Sequence, residues 1–298
     1  MPVSLPPLTR RRFLAGALAA GTASLFGRQA FGADKEVDPH RFFLLSDTHI
    51  SQLRTQAERG TIMFENMQRT CAALLAEQTA AAGVIINGDC AYHAGEAGDY
   101  AALLELLAPV RKSGMPVHLG MGNHDQRERF WKAFEMEKGA VEGRHVSVIK
   151  AERANIFLLD SLDVTNSTPG NVGPLQLAWL TAALDAAADK PAIIMVHHNP
   201  DDRPQPKGLT DSKAVMDALL PRKQVKLLFY GHTHFWEARR TADLHCVNLP
   251  PVAYVFKAGM PNGWIDLKLG EKGATLQLRC LDEKHAQHMQ KLELPWRA

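Results

Sequence analysis

The chain has 298 residues, with 34 Lys and Arg against 32 Asp and Glu and a formal net charge of +2. So even a balance excludes a protein that coats nucleic acid, whose affinity would rest on a strongly basic surface. The length fits one large domain with a well-buried core, and no internal repeat, long linker or low-complexity segment interrupts it.

The first element in chain order is the stretch from Leu8 to Ala33, LTRRRFLAGALAAGTASLFGRQAFGA. Arg10, Arg11 and Arg12 precede Phe13-Leu14 and a mild run of Ala, Gly and Leu. A basic head with an apolar stretch this short and weak is an export leader rather than a membrane span. TRRRFL resembles the twin-arginine signal, with cleavage expected near Ala30-Phe31-Gly32. Residues 1–33 are thus expected to engage the twin-arginine export machinery. Residues 34–298 are expected to form a single periplasmic, or otherwise extracytoplasmic, domain without a transmembrane helix. The leader holds Arg10, Arg11, Arg12 and Arg28 and no acid, so its removal moves the net charge from +2 to −2.

Past the leader, apolar or β-branched runs of strand length fall at 41–46 (RFFLLS), 83–87 (GVIIN), 116–120 (PVHLG), 145–150 (HVSVIK), 155–160 (NIFLLD), 192–196 (AIIMV) and 225–230 (VKLLFY). Helical periodicity fills 61–82, 98–112, 126–137, 174–188 and 211–220, with Pro174 a favourable first-turn residue. This alternation predicts an α/β fold with largely buried central strands. The tail differs. WIDLKL (264–269) and ATLQLRCL (274–281) alternate about GEKG, which predicts an antiparallel hairpin completing a sheet. Two mixed sheets with helices outside are the expected architecture.

The cysteines, Cys71, Cys90, Cys246 and Cys280, have no C-x-x-C spacing, so neither a zinc ribbon nor a redox pair is indicated. Twin-arginine export carries chains already folded in the reducing cytoplasm, so buried free thiols are expected although the periplasm permits disulfides. Cys246 with Cys280 is the one pair that merits a check.

The strand ends carry the polar residues. RFFLLS runs into Asp47-Thr48-His49, and GVIIN into Gly88-Asp89. PVHLG runs into Gly122-Asn123-His124-Asp125, AIIMV into His197-His198, and VKLLFY into Gly231-His232-Thr233-His234. Each strand thus delivers carboxylate, imidazole or amide to its C-terminal end, where open α/β sheets bind ligands. Carboxylates and imidazoles without thiolate suit Mn, Fe, Zn or Co. The candidates are too many for one tetrahedral ion and suit two that share a carboxylate. Two divalent ions would outweigh the charges of Asp47 and Asp89, so the site would attract a phosphate and acidify bound water.

DTH, GD, GNHD, HH and GHTH, in this order at strand ends, resemble the calcineurin-like metallophosphoesterase superfamily. The likeness runs from residue 41 to about 235. It implies a four-layer α/β/β/α sandwich with a dinuclear centre. By position, Asp47, His49 and His234 would bind the first metal, Asn123, His197 and His232 the second, and Asp89 would bridge them. His197 is preferred to His198 because it comes first off the strand; His198 would then support a ligand or face substrate. His124 resembles the family's substrate-facing histidine, which steadies the phosphate and protonates the leaving oxygen. Gly120 and Gly122 would let the backbone turn tightly beside the metals. Asp125 either orients the His124 ring or N-caps the helix QRERFWKAF, with Glu128 three residues on.

GDCAY sets Tyr92 three residues after Asp89, as in purple acid phosphatases, where that tyrosine binds ferric iron. With His49 already supplied to the first metal, Tyr92 is expected to pack or to line the substrate pocket, and His93 to be a solvated loop residue or a substrate contact. The DTH motif is similar instead to the class III cyclic-nucleotide phosphodiesterase and glycerophosphodiesterase branch. The resemblance implies a metal-dependent phosphohydrolase, a phosphodiesterase before a monoesterase, in which a metal-bridging hydroxide attacks phosphorus in line and His124 assists the leaving group. A purple-acid-phosphatase-like monoesterase and a non-catalytic metal-binding scaffold on the same fold are the alternatives. A 5′-nucleotidase is disfavoured because no sizeable second domain follows Leu281. Asp201, Asp202 and Arg203 are expected to serve their own loop.

Overall fold

The computed structural model describes residues 4–5, 35–135 and 139–298. The leader therefore lies, apart from Ser4–Leu5, outside the described residues. In chain order the strands are β1 (Ser4–Leu5), β2 (Val37–Leu45), β3 (Ala57–Glu58), β4 (Thr61–Ile62), β5 (Ala80–Asn87), β6 (Val117–Gly120), β7 (Ser147–Lys150), β8 (Asn155–Leu159), β9 (Ala192–Val196), β10 (Val225–Tyr230), β11 (Glu237–Thr241), β12 (Leu244–Asn248), β13 (Gly263–Leu269), β14 (Gly273–Cys280) and β15 (Lys291–Pro295). Helices span Met63–Ala76, Ala97–Lys112, Arg127–Ala133, Pro174–Asp185 and Ser212–Leu219. None of them is long and apolar enough to cross a membrane.

Two mixed sheets result. One has the order β1-β6-β5-β2-β13-β14-β15, the other β11-β12-β10-β9-β8-β7. In the first, β6, β5 and β2 run parallel; in the second, β12, β10, β9 and β8 do. The period-2 alternation of each central strand builds the layers. On β2, Phe43 and Leu45 face the helices Met63–Ala76, Ala97–Lys112 and Arg127–Ala133, while Phe42 and Leu44 face the other sheet. On β9, Ile193 and Met195 enter the inter-sheet layer, and Ile194 and Val196 meet the helices Pro174–Asp185 and Ser212–Leu219. Each such buried side chain contributes about 1.5–3 kcal/mol. Stacking these layers gives the expected α/β/β/α sandwich.

The tail hairpin forms as expected: β13 pairs with β14 from Gly263↔Cys280 to Leu269↔Ala274, and with β2 at Ile265↔Leu44. The helix expected over 61–82 ends at Ala76, and Ala80–Ala82 join β5. Pairing of Ala80 with Val37 recruits these alanines to the sheet against their helical propensity. The helix expected over 126–137 ends at Ala133, with 136–138 outside the described residues. The edge strand β11 escaped prediction because EARRT has a single apolar residue, Ala238, and is almost wholly exposed. All four cysteines are free and buried. Cys246 packs under the outer helices and Cys280 between the sheets, so the one pair considered is split between layers.

Candidate metal centre

The C-terminal ends of β2, β5 and β6 meet those of β9 and β10 across the sandwich. Asp47 N donates to Gly88 O (3.2 Å) and His49 N to Asp89 O (2.9 Å), joining the ends of β2 and β5, and Gly231 N donates to His197 O (2.9 Å), joining those of β10 and β9. His124 N on Asp89 Oδ1 (2.9 Å) ties in the end of β6, and His232 N on Asp47 Oδ1 (3.0 Å) links the two sheets. The backbone there is strained. Asp47, His49, Asp89, His232 and His234 all have positive φ, between 46° and 68°. Non-glycine residues in this region cost about 1–3 kcal/mol each, a cost found where function needs it. At Gly122 an added Cβ would lie 2.2 Å from Asp89 Oδ1, so glycine is required. Gly120 has no such role: its Cβ would meet nothing nearer than 3.4 Å, and it simply ends β6.

Three groups of potential ligand atoms gather within 4.8 Å: Asp47, His49 and His234; Asp89, His197 and His232; and His49, Asp89 and His124. Asp89 Oδ2 lies 3.2 Å from His197 Nε2 and 3.5 Å from His49 Nε2, so one carboxylate faces both sides. Asn123 is buried beside them, and its Oδ1 has no hydrogen-bond partner.

Backbone carbonyls set the imidazole tautomers. His49 Nδ1 meets Tyr92 O (3.2 Å), His197 Nδ1 meets Asn87 O (2.9 Å) and His234 Nδ1 meets Tyr254 O (2.6 Å). His232 uses the opposite atom, Nε2, on Lys207 O (3.0 Å). Each carbonyl accepts an N–H and leaves the other ring nitrogen as an inward lone pair, the second-layer support that metal-binding histidines need. His49 Nε2 and His234 Nε2 then face each other at 3.0 Å, two lone pairs that require a cation or a proton between them. Burial lowers His49 and His232 to about 4, so both are neutral at pH 7. Burial disfavours charge on His197 too, but Asp89 overrides it and lifts the ring to about 9. Burial raises Asp47 to about 6, whereas the histidines around Asp89 overcome its burial and hold it well below the ordinary carboxylate range. Cys90 contributes no thiolate, because burial and nearby carboxylates push its thiol well up and its Sγ turns to Gly120 O. The donor set is carboxylate, amide oxygen and imidazole, with His197 the one ring that Asp89 holds protonated and that would give up its proton to a bound ion; such a set fits divalent transition ions.

His124 stands at the rim of this set. Its backbone N donates to Asp89 Oδ1 (2.9 Å), its Nδ1 meets His93 O (2.8 Å), and its ring lies edge-on to His49 at 5.1 Å. His198 is buried but turns aside: Nδ1 meets Ser161 Oγ (2.8 Å), and its ring lies 4.5 Å from that of His232. Both expectations for Asp125 are corrected. Its carboxylate accepts from Gly122 N, Cys90 N, Ala91 N and the Tyr100 hydroxyl, tying two ligand loops together. Gln126 caps the helix through Arg129 N (2.7 Å). The Tyr92 hydroxyl donates to Glu58 Oε2 (3.2 Å), and its ring packs edge-on against His93. His93 is exposed, yet it also stands edge-on to His124 at 5.5 Å. Asp201 organises its own loop, accepting from Arg203, Lys207 N and Gly208 N. Tyr254 and Phe256, whose rings lie 4.6 and 4.3 Å from that of His234, went unnoticed in the sequence because no motif surrounds them.

Residues 40–235 match the model of the calcineurin-like phosphoesterases. A probable cyclic nucleotide phosphodiesterase of Rhodopseudomonas palustris is 33% identical over 202 residues, 65% of this chain and 71% of the relative. A 3′,5′-cyclic adenosine monophosphate phosphodiesterase of Pseudomonas aeruginosa is 25% identical over 228 residues, covering 74% and 79%. Among solved structures, a dimetal phosphatase from Danio rerio shares the fold with a TM-score of 0.67 over 87% of this chain and 100% of that one, at 14% identity.

Proposed function

The chain belongs to the calcineurin-like phosphoesterase family and is a metal-dependent hydrolase of phosphoester bonds, and from that premise we propose that its substrate is a phosphodiester. Two divalent transition ions, Mn, Fe, Zn or Co, would be held by this chain's own residues. Asp47, His49 and His234 would hold one and Asn123, His197 and His232 the other, with Asp89 shared. The observation that carries the reading is the position of Asp89 Oδ2, within 3.5 Å of imidazole nitrogens on both sides. Bound there, the ions would acidify the attacking water and neutralise charge on the phosphoryl oxygens.

The remaining work falls to His124. His93 O holds the Nδ1 proton, so exchange with substrate is left to Nε2, which can protonate the departing oxygen. The diester preference draws support from the relatives named cyclic nucleotide phosphodiesterases. Tyr92, committed to Glu58, gives a purple-acid-phosphatase-like monoesterase little support. Retention of every motif residue and of an accessible His124 favours catalysis over a bare scaffold. Residues 1–33 are inferred to export the chain to the periplasm.

On manganese-loaded protein, an aryl phosphodiester should turn over faster than the matching monoester. Metal analysis should approach two ions per chain, and Asp89→Asn should weaken both sites. A monoester preference would overturn the diester reading. One tightly bound ion in fully loaded protein would remove the shared carboxylate.

A further inference from the structure

The structure assigns, beside His234, a subsite for the planar base of a nucleotide, formed by Tyr254, Phe256 and Arg59. This rests on the phosphodiesterase reading and names its substrate class. Phe256 lies between β12 and β13, is 52% exposed, and stacks on the His234 imidazole with centroids 4.3 Å apart and planes 17° from parallel. Its orientation is therefore set by a residue of the candidate metal centre. Tyr254 joins the same wall, its ring 4.6 Å from His234 and 5.9 Å from Phe256.

Arg59 completes it. Its guanidinium carbon stands 5.0 Å from the centre of the Phe256 ring. Arg59 (φ 50°) and Gly60 (φ 78°) form the two-residue turn between β3 and β4, whose left-handed pair suits a tight hairpin. The hairpin is fastened to the loop that carries Asp89. Tyr92 from that loop donates to Glu58 Oε2 and accepts from Gln56 Nε2 at 3.3 Å. Glu58 is thereby engaged, and among the described residues the Arg59 guanidinium rests on an aromatic face rather than on a carboxylate.

Imidazole, phenyl and guanidinium thus adjoin one another at the rim of the candidate metal centre, and the half-exposed Phe256 ring keeps surface open for a further planar group. A second anion would meet the electron-rich face of Phe256 and find only one cation. A neutral heteroaromatic ring gains both ring stacking and the guanidinium. Stacking of one base on such a platform is worth roughly 5- to 150-fold in affinity.

The test is calorimetric binding of adenosine 5′-monophosphate and ribose 5-phosphate to metal-loaded wild type, Phe256→Leu and Arg59→Met, with bound metal measured alongside. The wild type should prefer the nucleotide by about tenfold or more, and both variants should lose most of that preference. In kinetics, kcat/KM for adenosine 3′,5′-cyclic monophosphate relative to methyl 4-nitrophenyl phosphate should fall about tenfold in each variant. A wild-type preference near one would overturn the subsite. So would equal losses for both ligands, which would assign Arg59 to the phosphate or Phe256 to mere support of His234. Should the wild type hydrolyse neither diester, the phosphodiesterase reading fails, while the nucleotide preference still decides the subsite.

Discussion

His124 and Asp201 answer to different chemistry. Held through Nδ1 by His93 O, His124 can exchange a proton without giving up its position. His124→Ala is therefore expected to keep its metal while losing about 10²–10⁴-fold in kcat. The loss should be largest for an alkoxide leaving group and small for a nitrophenolate, which needs little protonation. Equal losses on the two esters would remove the general-acid role. Asp201 is structural. Hydrogen bonds from Arg203 and from the backbone of its loop hold its carboxylate well below the ordinary range. Its contribution is thus complete above about pH 4, where an unfolded Asp ionises, and fades as pH falls below that. Asp201→Asn should cost about 1–3 kcal/mol at pH 7, and the gap in chemical denaturation should close in acid. A gap that did not narrow between about pH 5 and pH 2 would refute the charge-based account.

Turns rather than strands set the site's precision. Five left-handed non-glycine residues survive because backbone bonds tie β2 to β5 and β9 to β10, while the Asp89 and Asp47 carboxylates accept from His124 N and His232 N. Gly122 shows how little slack remains. Gly122→Ala drives a methyl into Asp89 Oδ1, so metal occupancy should fall, and activity by about 10²-fold. Gly120→Ala, two residues earlier, has room for its methyl and should retain both. If the two variants behaved alike, the close approach at Asp89 would not be what requires glycine. The β3–β4 hairpin shows the same economy, since a two-residue turn carries Arg59 to the rim and Tyr92 anchors it.

At the scale of the molecule, two sheets face each other so that parallel strands from both point their C-terminal ends at one edge. Neither sheet alone holds a complete ligand set: Asp47, His49, Asp89 and Asn123 follow strands of one, and His197, His232 and His234 those of the other. The full ligand set is therefore assembled only where the two sheets pack together. Replacing Arg10 and Arg11 with Lys should hold the precursor in the cytoplasm, checked by fractionation. Normal periplasmic accumulation of that variant would refute the export assignment.

From the sequence alone came the alternation of elements, the tail hairpin and the ordered motifs at strand ends. These are legible because burial imposes a period and metal chemistry restricts residue type. Other features carry no sequence signal. The carbonyls of Tyr92, Asn87, Tyr254 and Lys207 that fix the imidazole tautomers are backbone atoms any residue would supply. His197 and His198 leave the same strand side by side. Only the packed sheets turned His197 toward Asp89 and His198 toward Ser161. Asp125 has the spacing of a helix cap, yet N–H donors from its own turn and from the Asp89 loop reached it first. Residue type thus announced which chemistry was present, while the approach of distant backbones decided which atom faces it.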